Sequence, residues 1–225
     1  MLKDLKFHIL NKYLAALSGL FLILFLTGHL LGNLQLLIPE SQGAQKQFNE
    51  YAEFMSTNPA VKVLSIITYI SIILHVFVTI YLTIDSRRNR KSKYKKTNSE
   101  TNSISARYMG VLGTVILAFI IIHLSNFWYK AKFTNEILND ANGKKDIYTM
   151  VIDKFKNIEH VLIYVFAMGA IFMHTLHGFS SSFQSLGLVT SKTRKYLKLS
   201  GIIYALLVPL LFALIPIYIY LGFHQ

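Results

Sequence analysis

The sequence contains no cysteine in its 225 residues. That removes disulfides, thiolate zinc sites and cysteine-ligated iron–sulfur clusters from this chain. Charge is also scarce: 15% of residues are Asp, Glu, Lys or Arg, where a soluble domain carries about a quarter. Acidic residues are the scarcer sign, 11 against 23 Lys and Arg. What replaces them is 53% hydrophobic residues, a mean hydropathy of +0.43 and a net charge of +12. A nucleic-acid binder is basic and polar, whereas this chain is basic and greasy. The composition therefore argues against a soluble enzyme, a disordered tail or a nucleic-acid partner. It points to a membrane protein whose basic residues lie outside the lipid. Any metal chemistry falls to the eight histidines.

A bilayer core of about 30 Å needs roughly 20 apolar residues as helix. Five stretches meet that length, at about 13–38, 61–84, 108–129, 157–183 and 199–223. The reading is an all-α integral membrane protein forming one domain over residues 1–225. Long apolar runs without alternation exclude a β-barrel. Pro209 and Pro216 are expected to kink the fifth span. The first run is about twice the length of a signal-peptide core and has no A-x-A site, so it reads as a retained helix. The N-terminal segment, the linker Asp85–Arg107 and the loop before the fifth span together hold 15 Lys or Arg and 3 Asp or Glu. The remaining segments hold 8 of each. By the positive-inside rule the N-terminus is then cytoplasmic and the C-terminus outside, across a bacterial inner membrane.

Ionisable groups inside a membrane are costly and mark functional sites. The first four spans carry one deep histidine each: His29, His75, His123 and His174. Counted at 1.5 Å per residue, His29 and His123 lie about 26 and 24 Å from the inner ends of their helices. His75 and His174 lie about 15 and 12 Å from theirs. Two histidines at one depth on different helices suit the two faces of a porphyrin iron, and such an iron carries electrons rather than binding oxygen. Two-histidine zinc or copper sites are poorer candidates, being short of ligands. No Asp or Glu lies deep in any span, which argues against a proton-coupled transporter. His177 is one turn beyond His174 on nearly the same face, and spacing does not choose between them. Arg107 and Ser181 are candidates to meet haem propionates near the surface.

Three stretches carry a family resemblance: His29-Leu-Leu-Gly-Asn33, Phe48-Asn-Glu-Tyr-Ala52, and the run from His174 to Gly187, HTLHGFSSSFQSLG. With the span count, they resemble the five-helix, di-haem cytochrome b subunit of succinate dehydrogenases and fumarate reductases. The resemblance implies two b haems, a distal one on His29 and His123 and a proximal one on His75 and His174. It favours His174 over His177, since the ligand lies four residues before the glycine. It also implies menaquinone as substrate near the outer side, with Glu50 or Glu53 exchanging its protons. The partners implied are a flavoprotein and an iron–sulfur subunit on the cytoplasmic face, which would hold the dicarboxylate and flavin sites. Phe172 stands where the fumarate reductases of this family can carry a glutamate, which tilts the reading towards succinate oxidation. The alternatives are a di-haem anchor for another dehydrogenase or a hydrogenase, and a haem-free small transporter.

Overall fold

The computed structural model describes residues 2–88 and 104–225, with side chains from Lys6 to Arg88 and from Tyr108 onward. Among the described residues eight α-helices follow one another: α1 (Leu2–Asn33), α2 (Ala44–Thr57), α3 (Pro59–Arg88), α4 (Ile104–His123), α5 (Lys130–Phe133), α6 (Ile147–Phe155), α7 (Ile158–Ser185) and α8 (Arg194–Tyr220). A π-helical segment, Leu124–Tyr129, joins α4 to α5 without a break. Among the described residues five helical segments are long and apolar enough to cross a membrane: Lys6–Leu37, Pro59–Arg88, Tyr108–Phe133, Ile158–Ser185 and Arg194–Tyr220.

The helices overrun the apolar stretches that mark them. Helix α1 starts at Leu2 and α3 runs on to Arg88, because hydropathy reports the lipid-contacting part while backbone hydrogen bonding continues into the polar flanks. The ends follow local chemistry. The Asn58 side chain accepts from the N–H groups of Ala60 and Val61, and Pro59 fills the first position of α3, where a missing N–H costs nothing. Helix α7 stops at Gly187 (φ +73°) and α8 at Gly222 (φ +81°). At each, the next residue's N–H reaches back over the last turn, Leu188 to the Phe183 carbonyl and Phe223 to the Tyr218 carbonyl. That closure needs a left-handed residue, hence glycine. Helix α8 runs continuously through Pro209 and Pro216, both buried.

Helix α1 packs against α3 and α7, α4 packs against α7 and more lightly against α3, and α8 lies on α7. Four helices therefore form a ring in the order α1, α3, α4, α7. Neither α1 with α4 nor α3 with α7 makes an extensive contact; these are the diagonals.

One end of the bundle is capped by α2, α6 and the loop between α5 and α6. Asn49, 1% exposed, holds this cap together. Its amide donates to Asp140 Oδ2 and Asp146 Oδ1, each at 3.0 Å, and its oxygen accepts from the Tyr148 N–H at 2.9 Å. Beneath it Leu36, Phe48, Tyr148 and Ile152 form the buried core. The Lys144 N–H and the Asn49 amide hold the Asp140 carboxyl below the usual carboxylate range. Burial opposes the Asp146 charge, yet the Thr149 N–H and the Asn49 and Gln45 amides outweigh it and lower that carboxyl too.

Asn49→Ala leaves the Tyr148 N–H without its acceptor, and thermal unfolding in detergent should show a loss of about 1–3 kcal/mol. Both carboxyls are held below their unfolded values, so their stabilising share is complete above the ordinary carboxylate range and is lost as pH falls through the depressed values. Limited proteolysis of the cap against pH should show loosening in acid, beginning at higher pH in Asn49→Ala than in the unmodified protein.

Candidate functional site

The four deep histidines sit on the four helices of the ring and meet across its diagonals. His29 on α1 and His123 on α4 have ring centres 5.8 Å apart and planes at 84°. His75 on α3 and His174 on α7 have ring centres 6.3 Å apart and planes at 74°. The backbones of these partners make no extensive contact, and the imidazoles meet across the interior. The two pairs form layers. Pro59 to His75 and Ile158 to His174 are both steps of sixteen residues from the capped end, about 24 Å down the helices. His29 lies only four residues before the end of α1, and His123 ten residues before Phe133, where the continuous run from α4 through α5 ends.

The layers have different walls. The ring of His29 stacks on Phe25 and tilts against Phe212; that of His123 lies among Phe119, Phe127 and Tyr164. Aromatic rings there leave little room for water. Around His75 the neighbours are small and hydroxylic. Ser18 Oγ is 3.1 Å from His75 Nδ1, and a Cβ on Gly19 would come within 3.2 Å of the His75 ring and 3.6 Å of Ser182 Oγ. In the other layer Asn33 Nδ2 and the Tyr164 hydroxyl lie 3.4 Å from Nδ1 of His29 and of His123 respectively. His174 Nδ1 is buried without a hydrogen-bond partner.

These arrangements bear on what the pairs accommodate. A metal held by imidazole on both sides, at about 2 Å per bond, separates the ring centres by roughly 6 Å, and both pairs have that spacing. Among the described residues no group of three or more His, Asp or Glu comes together. Each pair supplies two ligands, which suits a metal whose other positions are filled by a macrocycle. Gly28, beside His29, and Gly178, one turn beyond His174, have nothing within 4 Å of where a Cβ would stand.

No protein-family model, curated protein or solved structure matches this chain. The site is accordingly read from its own geometry.

The other candidate residues are placed as follows. The ring that meets His75 is that of His174, and His177 is half-buried one turn further along α7. Ser181 is half-buried on the same helix, while its neighbour Ser182 is the serine beside Gly19. The side chain of Arg107 lies outside the described residues. Glu50 is exposed on α2, and Glu53 is ion-paired with Lys144 at 2.7 Å, a partner that raises the lysine's pKa. Tyr51, between them in sequence, packs on Gly32 of α1, one turn beyond His29.

Sequence reasoning did not single out Ser18, Gly19, Tyr164 or the π-helical segment after His123. A signal existed for Ser18: it and Thr27 are the aliphatic hydroxyls in the apolar run of α1, and a hydroxyl in lipid needs a partner. The π-helical turn has no local signature, although such turns gather at functional sites.

Gly28 and Gly32 of α1 should separate cleanly. Gly32→Ala drives a methyl into the Tyr51 ring, and a thermal melt should show a loss of about 1–3 kcal/mol as α2 is pushed from α1. Gly28→Ala, with nothing within 4 Å, should melt as the unmodified protein does.

Proposed function

We propose that this chain is the membrane anchor and di-haem cytochrome b subunit of a succinate:quinone oxidoreductase, set in a bacterial inner membrane. The observation that carries the reading is the meeting of four imidazoles as two pairs across the diagonals of one apolar bundle. His29 and His123 would hold the haem nearer the capped end, and His75 and His174 the other. A b-type haem gripped on both faces supplies one-electron transfer with no position left for oxygen.

The residues of this chain do the rest. His29, His123, His75 and His174 would hold the two irons. Phe25, Phe119, Phe127 and Phe212 keep water from the layer nearer the cap. Low dielectric around both layers limits the solvent reorganisation that accompanies a change of charge. The inner face carries the basic segments that set topology, and there a flavoprotein and an iron–sulfur subunit would dock and carry out the succinate chemistry. Menaquinone would be served from the capped, outer end. Glu50, exposed on α2, or Glu53, ion-paired with Lys144, would exchange the quinone's protons there.

A reduced-minus-oxidised optical spectrum of the purified protein tests this reading directly. A b-type band is expected, with haem content near two per chain, and its absence would sink the proposal. His75→Ala or His174→Ala should each remove one haem and leave the other, halving the band. Co-purification of a flavoprotein able to reduce the haems with succinate separates this function from a di-haem anchor of another dehydrogenase or hydrogenase.

A further inference from the structure

We infer that Ser18 is a positioning residue for His75: its hydroxyl fixes which ring nitrogen carries the proton and so aims the other, Nε2, into the bundle as a metal ligand. The inference rests on the haem reading above and adds to it a residue outside the four histidines.

The hydrogen-bond inventory of one serine carries the argument. Ser18 is 5% exposed and has a single proton to give. Oγ donates it to the Leu14 carbonyl at 2.7 Å, with the Ala15 carbonyl at 3.2 Å as the secondary acceptor. With that proton placed on the Leu14 carbonyl, the lone pairs of Oγ face His75 Nδ1 at 3.1 Å and are met by an N–H at Nδ1, an N–H that the Ala15 carbonyl of the same helix also accepts. A neutral imidazole protonated at Nδ1 has its lone pair at Nε2. Gly19 fixes the ring from the adjacent position, since its backbone approaches so closely that a Cβ would lie 3.2 Å from His75 Cε1 and 3.5 Å from Nδ1. Helix α1 therefore holds the ring on two sides, through a hydrogen bond and a backbone surface.

The anchoring is one-sided within the pair. His174 Nδ1 is buried and has no partner, so the ring set by a close hydroxyl is His75 alone. In the other layer the corresponding separations are 3.4 Å, longer than the 3.1 Å of Ser18. A change at Ser18 should thus be felt at one layer and not at the other. The electronic direction also follows. A ligand imidazole that donates its outer N–H is a more basic ligand, and a more basic ligand favours the oxidised metal. Removing the acceptor raises the reduction midpoint of that layer.

The test is a redox titration of the full chain in its native membranes, followed optically, with electron paramagnetic resonance of the oxidised protein as a second readout. In Ser18→Ala one of the two midpoints should rise by about 59 mV, which is a tenfold change for one electron. The low-spin signal of the same haem should shift while the other haem keeps both values. Ser18→Thr, which retains the acceptor, should restore both midpoints. Unchanged midpoints in Ser18→Ala overturn the inference. Should that variant not accumulate, the isosteric pair Ser18→Thr and Ser18→Val decides it: a displaced midpoint in Val alone supports the role, and equal midpoints in the two overturn it. A missing b-type band in the unmodified protein would instead overturn the haem reading itself, so the two failures are distinct.

Discussion

An imidazole inside an apolar bundle presents two nitrogens that must be partnered or left at a cost of about 1–3 kcal/mol each. Four such rings are carried here by four helices, and much of the bundle can be understood as the way those rings are accommodated. Placing them on the diagonals puts all four in the interior, away from lipid, and lets them face each other in pairs. Three of the four Nδ1 atoms have a hydroxyl or amide nearby, from Ser18, Asn33 or Tyr164. The fourth, on His174, remains without one.

The two layers differ in how their rings are controlled. Near the cap, aromatic neighbours from α1, α4, α7 and α8 confine His29 and His123 by shape. In the deeper layer a serine and a glycine of α1 confine His75 by a hydrogen bond and by backbone proximity. Shape control excludes water, while hydrogen-bond control sets a proton position. The polar cap serves the layer above it. Asn49 ties α2 to α6, and Phe155 of α6 stands against Tyr164, which stands against His123. Helix α6 is thus joined to the first layer through packed aromatic rings.

Much of this was legible in the sequence. Span number, the place of each deep histidine and their pairing by depth all follow from counting apolar residues at 1.5 Å each. The structure puts the same residues into the same pairs, His29 with His123 and His75 with His174. Helix ends were less legible, since a hydropathy boundary is a lipid boundary and hydrogen bonds do not stop there. The capped end was read only as loops. Its helices are short, and Asn49 is a polar residue whose burial depends on Asp140, Asp146 and Tyr148, some 90 to 100 residues away.

The sequence by itself determined an all-α chain with five membrane-length helices, a basic side and one deep histidine in each of four spans, because those properties depend on composition and on rise per residue. Only the tertiary structure decided which helices are neighbours and which lie across the diagonal, that α1 supplies a serine to a histidine of α3, and that α2 and α6 close one end. Each of these is a contact between segments far apart in the chain, set by how helix faces pack together, and no local pattern encodes a distance between residues 18 and 75.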